Sequence, residues 1–293
     1  MEFTELINVK QVMDISSGSP EIIIGLIDGP VSTNHLELNR ESIKEIPGVI
    51  SGTCSITESV ACEHGTFIAG ILVAKRGSRA PAICPNCTLL IRSVFSELPT
   101  NNYKSVLATT PQELALAIYD CINAGARLIN LSLALINSSS KGEPVLEEAL
   151  NYAANLGVVI VAAAGNQGTV GSTAITRHPW VIPVIACNNN GNPMQLSNLG
   201  NSIGKRGLSA PGENITSLGL DNNTLTISGT SAAAPFVTGV IALLWSEFPK
   251  LSGSLIKHAV NTISSRKSIT PPLINAMAAF QYLNLQYRQK AIA

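Results

Sequence analysis

No stretch of the chain holds the roughly 18 consecutive apolar residues that a membrane-spanning helix needs, so no membrane partner is expected. Charge is also scarce. Lys and Arg number 19 and Asp and Glu 19, for a net charge of zero and only 13% charged residues. No basic stripe is present to meet a phosphate backbone, which excludes nucleic acid as a partner. The opening Met-Glu-Phe-Thr-Glu-Leu-Ile carries acids where a secretory leader has its basic segment, and it lacks the apolar one. A cytoplasmic location is the expectation. Internal repeats, low-complexity tracts and linkers are missing, so residues 1–293 read as a single domain. No G-x-G-x-x-G or G-x-x-x-x-G-K loop follows the first apolar run, which argues against a nucleotide-binding protein.

Six cysteines occur, but only Cys84-Pro-Asn-Cys87 forms a C-x-x-C, with no second pair or nearby histidine to complete a zinc set. Reduced thiols are the expectation for a cytoplasmic chain. Disulfides Cys54–Cys62 and Cys84–Cys87 are the alternatives.

Apolar residues and turn formers are abundant: 45% hydrophobic, 23 Gly and 16 Pro in 293 residues. Such a chain is globular, loop-rich and long enough for a large core. Glu21-Ile-Ile-Ile-Gly-Leu-Ile-Asp28 is a nearly continuous apolar run of the kind that forms a strand buried on both faces. Similar runs at 88–94, 127–131, 158–164 and 180–186 predict further strands. Helices are predicted from His64 to Lys75, at 110–123, at 143–156, near 230–247, and at about 252–264 and 272–285. Thr110-Pro-Gln-Glu113 carries a capping box with proline at the first helical position. Gly157 stops the helix before it. Strands alternating with helices imply an α/β fold: a doubly wound, mainly parallel central sheet with helices on both faces. In such sheets ligands bind beyond the carboxyl ends of the strands.

Four polar residues fall at that rim. Asp28 ends an otherwise apolar strand, where either a turn before Gly-Pro or a buried functional carboxylate would suit it. Among four histidines, His64 alone sits in a tight polar helix start, Glu-His-Gly-Thr. Asn166 lies in Ala-Ala-Ala-Gly-Asn-Gln-Gly, as a turn residue or as an amide donor to an oxyanion. Ser231 opens an apolar helix that would be buried nearly all round. Alone it reads better as an N-cap than as a nucleophile. Pro235 is tolerable because it falls within the first turns. A serine needs a base to remove its proton, and a histidine oriented by a buried carboxylate is the usual one.

Taken together, in the order Asp, His, Ser, these segments resemble the subtilisin-like serine peptidases, or subtilases. The resemblance rests on Ile-Gly-Leu-Ile-Asp28-Gly, His64-Gly-Thr-Phe-Ile-Ala-Gly70, Leu128-Ile-Asn-Leu-Ser132-Leu, Ala162-Ala-Ala-Gly-Asn166, Leu208-Ser-Ala-Pro-Gly212 and Ser228-Gly-Thr-Ser231-Ala-Ala-Ala-Pro. That Asp, His, Ser order is the one known for subtilisin. The resemblance implies a serine endopeptidase with Ser231 as nucleophile, His64 as general base and then acid, and Asp28 as its orienting partner. Asn166 would be the oxyanion donor, with the Ser231 backbone N–H as a second. Ser132, Leu133 and Ala134 would pair with an extended peptide substrate, and Ala163, Ala164 and Gly165 would form the opposite wall. No cofactor or metal is implied. Lys75-Arg-Gly-Ser-Arg-Ala-Pro81 is short and lacks the calcium-binding insert of secreted relatives, so no tight calcium site is expected there.

A narrower likeness is to the subtilases of cyanobactin pathways, carried by Asp28-Gly-Pro-Val, Arg206-Gly-Leu-Ser-Ala-Pro-Gly-Glu213 and Ala234-Pro-Phe-Val-Thr-Gly-Val-Ile-Ala-Leu-Leu-Trp-Ser-Glu-Phe-Pro249. Macrocyclases of that group carry a helical insert between the Asp and the His. Here only 36 positions separate them, which favours a protease that cleaves the leader of a precursor peptide. A general intracellular protease and a peptide-binding pseudoenzyme are the alternatives, and the complete triad argues against the second.

Overall fold

The computed structural model describes residues 3–56, 59–97, 109–133, 143–262 and 268–292. The chain enters through two short helices, α1 (Phe3–Leu6) and α2 (Lys10–Ile15). It then builds β1 (Ile23–Asp28), β2 (Ile43–Glu45), α3 (Val60–Val73), β3 (Thr88–Ser93), α4 (Pro111–Asn123), β4 (Leu128–Leu131), α5 (Pro144–Leu156) and β5 (Val159–Ala163). Next come α6 (Ala174–Arg177), β6 (Ile182–Cys187), α7 (Asn201–Arg206), β7 (Leu208–Pro211), and the hairpin β8 (Ile215–Leu218) and β9 (Thr224–Ile227). Helices α8 (Thr230–Glu247), α9 (Gly253–Asn261) and α10 (Ala276–Ile292) follow. Seven strands form one sheet in the order β2-β3-β1-β4-β5-β6-β7, and every pairing in it is parallel. This is the α/β architecture that the alternating pattern predicts.

Period-two packing with both faces buried explains why β1 and β5 are apolar at nearly every position. Ile24 and Leu26 of β1, with Val159, Val161 and Ala163 of β5, face the core shared with α3 and α8. Ile27, Ile160 and Ala162 face the opposite core, filled by α4 and α5. Strand order reverses beside β1, which has β3 on one side and β4 on the other. That reversal opens a crevice at the strand ends, where ligands bind in open α/β sheets. Asp28, Ser132 and Ala163–Gly165 all lie along this edge. None of the described helices is long and apolar enough to cross a membrane.

Several local expectations are corrected. Helix α3 starts at Val60, four residues before His64, because Ser59 caps it by accepting from the Cys62 N–H at 3.2 Å. Thr110 caps α4, but the box is only half made: Glu113 turns its carboxylate to Arg92 (2.9 Å). The hairpin β8–β9 was not foreseen, and its turn uses Asp221 and Asn222 with positive φ. Cys54 and Cys62 are joined by a disulfide, the stated alternative to six reduced thiols, their Cα atoms lying 5.6 Å apart. Cys84, Cys87, Cys121 and Cys187 are free and buried.

Candidate active site

Asp28 is fully buried, and its Oδ1 accepts from the Gly29 N–H at 2.7 Å and from His64 Nδ1 at 2.7 Å. An ionised carboxylate only accepts, so the imidazole proton sits on Nδ1 and Nε2 is left as the basic atom. Burial is the largest single influence on His64 and pulls its pKa down. The charge of Asp28 and the hydrogen bond to it together outweigh that, so the pKa ends above 6.5. The His64 side chain is 12% exposed, so one edge of the ring reaches the surface.

Two glycines allow this pair to meet. A Cβ on Gly29 would overlap the Ala61 carbonyl oxygen, and one on Gly65 would overlap the carbonyl oxygens of Gly29 and Pro30. The strand end and the α3 backbone therefore cross at a separation only glycine permits. His35 and His178 are buried and committed elsewhere: His35 Nδ1 accepts from the Glu37 N–H, and His178 bonds Asn151 and the Trp180 N–H. His258 packs against Tyr282 with the two rings tilted by 57°.

Ser231 is the second residue of α8, after the cap residue Gly229, so it is not an N-cap. Every residue of this helix is buried except Ser231, Ser246 and Glu247. Ser231 is thus the one partly open position in the first turn of a helix otherwise sunk in the core. The positive end of the helix dipole lies there. The amide of Asn166 is oriented by Thr230, whose backbone N–H and Oγ1 both donate to Asn166 Oδ1 at 2.9 Å. Thr230 Oγ1 in turn accepts from the Gly165 N–H at 3.1 Å. With its carbonyl end occupied, exposed Asn166 has its Nδ2 left to donate, beside Gly229. A donor so fixed suits a charge that develops only during reaction.

Pro235 carries a cost that the sequence reading missed. It has no N–H, so the carbonyl four residues back, that of Ser231 itself, loses its helical donor. The Ser132 hydroxyl supplies the missing bond, donating to the Ser231 carbonyl at 2.9 Å.

Ser132, Leu133, Ala163 and Ala164 are each under 8% exposed, and Gly165 is buried, so what they offer a ligand is chiefly backbone. Leu128–Leu131 pairs with Val159–Ala162, which sets residues 132–133 beside 163–165 at one sheet edge. Ala134 lies outside the described residues. The structure therefore joins Asp28 to His64, Ser132 to Ser231, and Asn166 to Thr230. Among the described residues it makes no hydrogen bond between His64 Nε2 and Ser231 Oγ, though α3 packs on α8. Catalytic hydrogen bonds are often long without substrate.

Sequence reasoning missed the residues that hold these groups. Thr230 was only a flank of the Gly-Thr-Ser turn. Asn198, whose Oδ1 accepts from the Gln167 and Thr169 N–H groups, fixes the loop around Asn166 and carries no local signal. Asn130, a lone polar residue inside an apolar strand, did carry one.

A match to the subtilase family spans residues 19–278. The thermostable alkaline protease of Halalkalibacterium halodurans is 34% identical over 68% of this chain, and the chain spans about half (51%) of that relative's length. Among solved structures, the protease domain of PatA matches with a TM-score of 0.83 at 28% identity, covering 92% of this chain and 97% of that one. The prenylagaramide maturation protease PagA matches with a TM-score of 0.81 at 27% identity, covering 94% and 98%. With the buried carboxylate–imidazole pair at the strand edge and the serine at the start of a central helix, this match over most of the chain places the protein in the subtilase family of serine peptidases.

Proposed function

We propose that this subtilase is an endopeptidase that cleaves the leader from a ribosomally made precursor peptide of cyanobactin type. The observation that carries the catalytic reading is the 2.7 Å bond from His64 Nδ1 to buried Asp28, which leaves Nε2 as the basic atom. Ser231 Oγ attacks the scissile carbonyl, and His64 Nε2 takes its proton and then returns it to the leaving amine. Asp28 holds the imidazole in that tautomer and stabilises its charged form. Asn166 Nδ2 and the Ser231 backbone N–H receive the oxyanion. The extended substrate pairs with the edge at Ser132, Leu133 and Ala134, with Ala163, Ala164 and Gly165 opposite. A water molecule, activated by His64, then hydrolyses the acyl-enzyme.

The precursor reading is supported by the likeness to PagA, a maturation protease, over nearly the full length of both chains. General proteolysis is favoured instead by the higher identity, 34%, to an alkaline protease. One experiment addresses both levels. Ser231→Ala is expected to abolish labelling by a fluorophosphonate and all cleavage, and unchanged labelling would remove the triad reading. With the active protein, a cyanobactin-type precursor should be cut at one junction while casein stays largely intact. Indiscriminate digestion of casein would overturn the maturation role alone.

A further inference from the structure

Beneath the serine lies a chain of buried polar groups that the triad does not use. Thr238 is fully buried two turns along α8 from Ser231, on the same face of the helix. Its Oγ1 donates to Asn130 Oδ1 at 2.7 Å, Asn130 Nδ2 donates to Ser132 Oγ at 2.8 Å, and Ser132 Oγ donates to the Ser231 carbonyl at 2.9 Å. Asn130 is fully buried and Ser132 is 3% exposed. The path leaves α8 at Thr238, crosses the end of β4, and returns to α8 at Ser231.

Proton counting gives this chain a direction. A hydroxyl has one proton to donate. Ser132 is free to spend its proton on the Ser231 carbonyl only because it receives from the Asn130 amide. If the amide were turned over, Ser132 would donate to Asn130 Oδ1 and the Ser231 carbonyl would lose the bond. Pro235 has already deprived that carbonyl of its helical donor. The Thr238 hydroxyl favours the orientation that keeps it satisfied. Donating to Oδ1 at 2.7 Å is a better bond than the alternative, in which the hydroxyl would accept from the amide and donate to the Ala234 carbonyl at 3.2 Å.

We propose that Thr238 and Asn130 are positioning residues that act through Ser132 to fix the Ser231 peptide. The inference rests on Ser231 being the nucleophile. It adds that the edge offered to substrate and the backbone of the attacking serine share one hydrogen bond, so the serine is held from the same strand end that aligns the peptide. Position matters here because a hydroxyl misplaced by about 1 Å can cost a hundredfold in rate.

The test compares Thr238→Val, which keeps shape and removes the hydroxyl, with Thr238→Ser, which restores it. Steady-state cleavage of a fluorogenic peptide, the rate of fluorophosphonate labelling and the melting temperature are read for each. Thr238→Val should lower kcat and the labelling rate about tenfold, the worth of one net hydrogen bond of roughly 1.4 kcal/mol, with KM within about twofold. Thr238→Ser should recover most of the loss. In a Ser132→Ala background Thr238→Val should have little further effect, because the path is already cut. If Thr238→Val accumulates unfolded, Thr238→Ala is read in the same way. An unchanged kcat, or equal losses with and without Ser132, would overturn the inference. Failure of the unsubstituted protein to be labelled at all would instead remove the reading of Ser231 on which it rests.

Discussion

Burial alone would keep the His64 imidazole uncharged, and the carboxylate beside it pulls the other way and prevails, leaving the pKa above 6.5. Only the neutral ring can take a proton from serine, so activity should be lost as pH falls through that raised value. The acid limb of kcat/KM is expected to have its midpoint above about 6.5. In Asp28→Asn the charge is gone while burial remains, so the limb should move below that value and kcat should drop by about 10⁴-fold. A pH–rate profile of both proteins checks this, and a limb that stays in place would assign the ionisation to another group. At this scale Asp28, His64 and Ser231 were legible because each lies in a short segment of distinctive composition. Thr238 was not: its partner Asn130 is 108 positions away, and nothing near either residue announces the other.

At the scale of elements, the site depends on how closely α3 passes the end of β1. Gly65→Ala would drive a methyl group into two backbone oxygens, which cannot rotate away as a side chain would. The helix must back off, taking His64 with it. A loss of stability of about 2–4 kcal/mol is expected, with a fall of about 100-fold or more in kcat/KM, measured by denaturant unfolding and peptide cleavage. Strands β1, β3, β4, β5 and β6 were readable because two buried faces call for apolar residues along most of their length. Strand β7 and the β8–β9 hairpin escaped notice, since β7 ends in Ala-Pro and the hairpin strands carry Thr and Ser at half their positions. The start of α3 was misplaced for a different reason: its first turn, Val-Ala-Cys-Glu, has no sequence feature as strong as His-Gly-Thr. Likewise Pro235 was read as harmless, because the sequence does not reveal that a serine 99 positions before Ser231 repairs the lost bond.

Across the whole molecule, one side chain links parts that the sheet does not. The Arg76 guanidinium donates to the carbonyl oxygens of Met13 (2.8 Å), Ser16 (3.1 Å), Ala82 (2.9 Å) and Ile83 (2.8 Å). It cross-links the end of α2 to the chain between α3 and β3. Arg76→Ala should cost about 1–2 kcal/mol, seen as a melting temperature lower by about 3–6 °C. Arg76→Lys should recover only part, since an ammonium cannot span four acceptors in a fork. The burial of α8 has a consequence in time as well as space. Ser231 follows Asp28 by about 200 residues, and its helix packs on β4, β5, β6 and β7. At typical synthesis rates of about 5–20 residues per second, the nucleophile emerges some 10–40 s after the aspartate. It then has nowhere to dock until those strands are assembled. A growing chain therefore carries an aspartate and a histidine but no nucleophile, and the protease arms itself only when its own core is closed.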